Sequence, residues 1–174
     1  DNDPLRRGRP TVWKLWGVDH AINTGDVQLL LSMLKLSGAA KDNPWGPAVQ
    51  EFLIKVFIEV GEGQYHDFLL TECPINDKRV TEEMYFTMIA KKSAVLVGGA
   101  TKAAGISSEV SQEEQEKLWE YGFNLGLAYQ LSDDLFSIWG DSNTTGKVKY
   151  NDLYERKKTL PVIYTRSNLN KKDR

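Results

Sequence analysis

From Val49 onward the apolar residues fall at Val49, Phe52, Leu53, Val56, Phe57 and Val60. Steps of three and four put them along one side of a helix, the face that seeks a core. Asn43-Pro44-Trp45-Gly46-Pro47 precedes that helix, and two prolines with a glycine stop whatever comes before. An earlier helix is expected from roughly Val18 to Leu36. Another should begin after the turn-like Ile75-Asn76-Asp77, carry Met84, Met88, Ile89, Val95 and Leu96, and end near Gly105. Ser111 followed by Glu114 has the spacing of a capping box, in which each side chain accepts the other residue's backbone N–H. It predicts a long helix reaching about Gly140, and Asp141 to Gly146 reads as a loop. No stretch shows a sustained two-residue alternation, a hairpin signal, an internal repeat or low complexity. The pattern predicts an all-α protein of long helices.

The last long helix carries the first chemical hint. Leu127 to Trp139 is apolar nearly all round, which predicts a buried helix. Within it Gln130, Asp133, Asp134, Ser137 and Asp141 recur at steps of three and four, so they are expected on one face, pointing inward. Two adjacent carboxylates in a buried setting need a compensating cation. Oxygen ligands of this kind suit Mg²⁺, which takes one or two carboxylates and completes its shell with water and substrate phosphate. An Asp pair can equally cap a helix or face solvent, but the apolar flanks on both sides argue against that here.

Composition narrows the classes. The 174 residues with 41% hydrophobic content suit a single domain over 1–174 with a packed core. With 22 basic and 24 acidic residues and a net charge of −2, no general attraction to nucleic acid or an anionic membrane is expected. Cys73 is the only cysteine, which excludes an internal disulfide and a cysteine-based zinc cluster and fits a cytoplasmic location. No signal peptide is expected, and no apolar run approaches the roughly 20 residues that span a bilayer, so no integral membrane protein is expected.

Basic residues come in clusters that could meet a phosphorylated ligand. Arg6, Arg7 and Arg9 sit in Leu5-Arg6-Arg7-Gly8-Arg9-Pro10, where glycine and proline are expected to hold an extended loop. Lys147 follows Gly146, Lys157 and Lys158 lie beyond it, and Lys91 and Lys92 interrupt an apolar helix. Arginine in particular grips phosphate oxygens in pairs. Each cluster alone is weak, since most such side chains are simply solvated.

Taken in order, these segments resemble the trans-isoprenyl diphosphate synthases, the polyprenyl synthetase family. Asp1-Asn2-Asp3-Pro4-Leu5-Arg6-Arg7-Gly8-Arg9-Pro10-Thr11 is similar to the end of that family's first aspartate-rich motif, DDxxD, and the Arg-Arg-Gly-x-Pro-Thr loop after it. Asn23-Thr24-Gly25-Asp26, Glu62-Gly63-Gln64-x-x-Asp67 and Lys92-Ser93 resemble its G-D, G-Q-x-x-D and Lys-Thr segments. Gln130-x-x-Asp133-Asp134 resembles the second aspartate-rich motif, and Thr145-Gly146-Lys147, Asp152-Leu153 and Lys157-x-Thr159-Leu160-Pro161 its downstream elements.

The resemblance implies an antiparallel helical bundle of the isoprenoid synthase type, with two carboxylate clusters at the mouth of an apolar pocket. It also implies an enzyme that joins an allylic prenyl diphosphate to isopentenyl diphosphate, with Mg²⁺ as cofactor and a homodimer as the assembly. Asp1, Asp133, Asp134, Ser137 and Asp141 are then the metal-facing positions. Arg6, Lys92, Lys147 and Lys157 would contact diphosphate, Arg7 would help to bind isopentenyl diphosphate, and Gln130 would join Lys92 and the Asp pair in the catalytic centre.

Two departures qualify the resemblance. The chain begins at what looks like the last aspartate of DDxxD and the last part of the bundle is missing too, so a fragment truncated at both ends, lacking half the metal site and poorly active alone, is expected. Ser137 stands where the second motif usually has its final Asp. The spacing Asp133-x-x-x-Ser137-x-x-x-Asp141 resembles the metal triad of class I terpene cyclases, which makes a cyclase the rival reading. A non-catalytic subunit of a heteromeric synthase is a third, against which the retained ligand set argues. His20 and His66 are expected as packed or surface residues. Of Trp13, Trp16, Trp119 and Trp139, most are expected in the core. Gln64 and Asp67 are read either as pocket lining or as a helix–helix hydrogen bond.

Overall fold

The computed structural model describes residues 4–6, 8–141 and 150–169. Its contacts gather into two compact units, Asp1–Gln50 and Glu51–Arg174.

In the first unit the basic segment is a hairpin rather than the expected extended loop: β1 (Leu5–Arg6) pairs antiparallel with β2 (Arg9–Pro10), Leu5 opposite Pro10 and Arg6 opposite Arg9. Two-residue strands are too short to leave an alternating pattern, and the turn depends on Gly8 at φ 74°. Helix α1 (Val12–Trp16) stops at Gly17, whose φ 95°, ψ 166° only glycine adopts readily. Its N–H closes on the Trp13 carbonyl at 2.9 Å. Helix α2 (Val18–Ala40) packs on α1 and runs four residues past the expected end at Leu36.

In the second unit, helix α3 (Gly46–Glu72), which begins in the first, passes α4 (Glu82–Ile89), a π-helical turn (Ala90–Ala94) and α5 (Val95–Ser107). One helix was expected there, and the π turn divides it. Thr81 caps α4 by accepting the Met84 N–H at 3.1 Å. Helix α6 (Gln112–Trp139) opens with the expected box: Ser111 Oγ accepts from Glu114 N at 3.3 Å, and Glu114 Oε2 from Ser111 N at 3.0 Å. Short α7 (Asn151–Tyr154) and α8 (Leu160–Asn168) follow, and Pro161 suits the first turn of α8 because it has no N–H to leave unpaired. The expected loop at Asp141–Gly146 lies outside the described residues apart from Asp141.

Glycines set how closely the helices meet. A Cβ on Gly122 would stand 2.2 Å from Thr101 Oγ1 and 2.8 Å from the Val97 carbonyl oxygen, and one on Gly126 would stand 2.7 Å from Ala94 Cα. Backbone of α5 and the π turn therefore lies directly on α6. Leu70, Cys73, Val80, Tyr85, Met88, Ile89 and Ile163 form the buried core beside this seam. The expectation of an α6 buried all round is corrected: Tyr129, Leu135, Phe136 and Trp139 are exposed, because no described element covers that side. Among the described residues no helix is long and apolar enough to cross a membrane.

Candidate active site

The polar stripe of α6 meets α4 and the π turn. Asp134 is buried, and both its oxygens are used: Oδ1 accepts from Gln130 Nε2 at 2.9 Å and Oδ2 from the Tyr85 hydroxyl at 2.6 Å. Gln130 Oε1 in turn accepts from Ser93 Oγ at 2.7 Å. Four side chains from α4, the π turn and α6 thus form one continuous chain. Burial pushes the Asp134 carboxyl above its usual range, although the hydrogen bonds from Tyr85 and Gln130 pull the other way. Tyr85, fully buried, is raised as well, by burial first and then by the Asp134 charge, so its hydroxyl stays protonated as the donor.

Lys92, next to Ser93, faces α3. Its Nζ lies 2.6 Å from Asp67 Oδ2, to which Gln64 also donates, at 3.4 Å. One glycine makes that reach possible: a Cβ on Gly63 would stand 2.2 Å from Lys92 N, so α3 rests on the backbone of the π turn. Such wide turns insert a residue into an α-helix and recur at functional sites. Here the turn coincides with the point where Lys91 pairs with Glu62, Lys92 with Asp67 and Ser93 with Gln130. Of the two readings of Gln64 and Asp67, the helix–helix hydrogen bond is the one observed, made by Asp67.

Lys157 lies between α7 and α8, its Nζ 3.2 Å from Glu155 and 3.7 Å from Asp152. Burial disfavours its charge, but its hydrogen bond to Glu155 and the field of Asp152 outweigh that and raise its pKa. The neighbouring Lys158 is buried and donates at 2.8 Å to the carbonyls of Thr71, at the end of α3, and Arg156. It ties this segment to α3.

The remaining expected positions are more scattered. Asp133 is half-buried beside Asp134. Ser137 is buried and donates to the Asp134 carbonyl at 2.9 Å, while its own carbonyl accepts from Tyr150 N at 2.8 Å. Asp141 is not on the helical face expected of it: α6 ends at Trp139, Gly140 is extended at φ −67°, ψ 150°, and Asp141 is exposed. Arg6 is exposed on β1 in the first unit. Asp1, Arg7 and Lys147 lie outside the described residues. Of the tryptophans, Trp119 stacks on Phe123 at 5.8 Å, whereas Trp16 and Trp139 are exposed against expectation. Trp139, with Phe86, Leu131, Leu135, Pro161 and Tyr164, lines an apolar groove of about 350 Å³. His66 is half-buried and stands edge-on to Tyr65, 5.9 Å between ring centres.

Tyr85 is the functional candidate that the sequence did not single out. It sits in Met84-Tyr85-Phe86, an apolar stretch in which a tyrosine looks like packing. Only its seven-residue distance from Lys92, close to two helical turns, hints at a shared face.

The donor set can be tested against a metal. Among the described residues no three His, Cys, Asp or Glu side chains gather in a metal-holding group. A closed cage of the structural zinc kind is thus absent among them. An adjacent Asp pair with one member hydrogen-bonded through both oxygens fits Mg²⁺, whose shell is completed by water and phosphate oxygens.

Comparison with known proteins bears directly on this arrangement. The chain is 37% identical over 163 residues to the geranylgeranyl diphosphate synthase of Mycobacterium tuberculosis, covering 94% of this chain and 45% of that one. It is 39% identical over 170 residues to the enzyme of the same name from Saccharolobus solfataricus, covering 96% and 50%. The chain thus spans about half the length of these relatives. A crystal structure of a geranylgeranyl pyrophosphate synthase superposes with a TM-score of 0.85 at 36% identity, over 95% of this chain and 49% of the other. A polyprenyl synthase from Caulobacter crescentus, complexed with calcium and isoprenyl diphosphate, does so at 0.76 with 28% identity, over 95% and 48%. With the Polyprenyl synthetase family profile matching residues 1–174 from end to end, this chain belongs to the polyprenyl synthetase family.

Proposed function

We propose that the protein carrying this chain condenses an allylic prenyl diphosphate with isopentenyl diphosphate to a longer trans-polyprenyl diphosphate, with Mg²⁺ as its metal. The observation that carries this reading is the junction at Lys92-Ser93. From two adjacent residues, one side chain reaches Asp67 on α3 and the other reaches the Gln130–Asp134 chain on α6. A fixed cation and an Asp pair are thereby tied to one rigid turn, as ionisation of a diphosphate requires.

In this reading Asp133 and Asp134 form the metal face of α6, with Asp1, Ser137 and Asp141 as further candidates. Bound there, Mg²⁺ supplies Lewis-acid neutralisation of the diphosphate charge. The residues around it do the rest. Lys92 and Lys157, each ion-paired with carboxylates, stabilise negative charge on the departing diphosphate, with Arg6 and Lys147 in the same role and Arg7 on isopentenyl diphosphate. As the allylic carbon–oxygen bond breaks, its electron pair leaves with the diphosphate. The double bond of isopentenyl diphosphate then attacks the allylic carbon, and loss of a proton restores the alkene. The names of the relatives, geranylgeranyl and farnesyl diphosphate synthases, support elongation over cyclisation. The Ser137 hydroxyl, turned to the Asp134 carbonyl, argues against a cyclase-type triad. The same reading includes one domain of the isoprenoid synthase type, a cytoplasmic location and a homodimer.

The full-length protein, incubated with Mg²⁺ and geranyl or farnesyl diphosphate, tests this. Longer linear diphosphates that appear only when isopentenyl diphosphate is added are expected. Cyclic products formed without it would overturn the proposal.

A further inference from the structure

We infer that Tyr85 is a positioning residue of the metal face: through its hydrogen bond to Asp134 it fixes the direction in which α6 presents its Asp pair. The inference rests on the reading of that pair as a metal site. Three observations lead to it. Tyr85 is fully buried, whereas the other six tyrosines are exposed. Its hydroxyl spends its donor on one acceptor, Asp134 Oδ2, at 2.6 Å. Asp134 Oδ1 is held from the other side by Gln130, itself held by Ser93, so the carboxylate is gripped at both oxygens by side chains from two directions.

A gripped carboxylate behaves differently from a free one. Two donors on two different oxygens fix both the rotation of the carboxyl plane and the side-chain rotamer. Each oxygen keeps one lone pair for a further partner. Because Asp133 is the preceding residue on the same helix, fixing Asp134 also fixes the turn of α6 from which Asp133 projects. Outer hydrogen bonds of this kind commonly change metal affinity by about 10- to 100-fold when removed. Tyr85 also stands on α4, directly before the π turn that carries Lys92 and Ser93. Its bond therefore fixes the register of the cationic element against the acidic one. A tyrosine serving only to fill the core would be replaceable by phenylalanine, which differs by the hydroxyl alone.

The test compares Tyr85→Phe with the parent in the full-length protein. Binding of Mn²⁺ in the presence of inorganic pyrophosphate is followed by electron paramagnetic resonance, and thermal unfolding is followed by circular dichroism. Tyr85→Phe is expected to weaken metal binding about tenfold or more, with turnover largely recovered at high metal and the KM for the allylic diphosphate little changed. Metal affinity within twofold of the parent in a folded Tyr85→Phe protein would overturn the inference. Should that variant not fold, 3-fluorotyrosine at position 85 keeps both shape and donor. Its fluorine resonance is expected to move on saturation with Mg²⁺ and pyrophosphate, and a resonance that stays put would overturn the inference. Asp133→Asn separates the two levels. If it abolishes Mn²⁺ binding while Tyr85→Phe does not, only the positioning role fails; if neither variant affects binding, the metal-site reading fails with it.

Discussion

Helices α2 and α6 are both long and rich in apolar residues, yet the chain treats them in opposite ways. Along α6, Gly122 and Gly126 let neighbouring backbone come into direct contact, and the polar atoms of Gln130, Asp134 and Ser137 all have partners. Along α2, Ala40 is the one buried residue, and Val27, Leu29, Leu30, Leu31 and Leu34 are exposed. At 100° per residue, consecutive leucines spread around a helix instead of forming a single stripe. Apolar content therefore says that a surface seeks cover. Small residues and paired polar groups say where the cover comes from.

The contrast can be broken at several points. The largest effect is expected on the polar face of α6: Asp133→Asn in the full-length protein should lower kcat/KM for the condensation on the order of 10³-fold, about 4 kcal/mol of transition-state stabilisation. A steady-state assay at fixed Mg²⁺ checks this, and a loss under tenfold would remove α6 from the chemistry. Gly122→Val attacks the packing of the same helix, where even a Cβ would lie 2.2 Å from Thr101 Oγ1. Overpacking of this kind should cost about 3 kcal/mol, read from the urea midpoint. An unchanged midpoint would mean that α5 and α6 are not in such close contact.

Alkaline pH gives a subtler probe of the buried chain. The folded-state pKa of Tyr85 lies above its ordinary value of 10.0, so the stability it contributes is fully present below pH 10 and is lost as pH rises through the folded value. Tyr85→Phe should therefore lose less stability than the parent between neutral pH and pH 11. Parallel curves would contradict the burial of its hydroxyl. The smallest effect is expected on α2. Leu30→Ser replaces a side chain that is 68% exposed and should change stability by less than about 0.5 kcal/mol. A larger loss that depends on protein concentration would show that α2 is covered in solution by a second copy of the chain.

Much of this protein is legible without coordinates. The break at Pro44, the Ser111–Glu114 box and the three-and-four spacing from Val49 to Val60 act locally. Caps and helix stops are satisfied within a few residues, so their signals survive in the linear sequence. The Gln130-x-x-Asp133-Asp134 stripe is readable for the same reason, since helical periodicity alone puts these residues on neighbouring positions.

Other features depend on what the helices meet. Why position 63 is glycine becomes clear only when the backbone of Lys92 lies against it. That Asp141 leaves the face of its motif depends on the extended conformation of Gly140. The division of labour in the Asp pair, Asp134 buried and doubly bonded and Asp133 half-buried beside it, follows from the approach of Tyr85, 49 residues earlier in the chain. The sequence by itself determined where the long helices lie, the capped start of α6 and most of the residues that share a face, because each is set by interactions over one or two turns. Only the tertiary structure decided which carboxylate is gripped and by what, because a hydrogen bond between distant residues depends on the register of two packed helices, and no local pattern encodes that register.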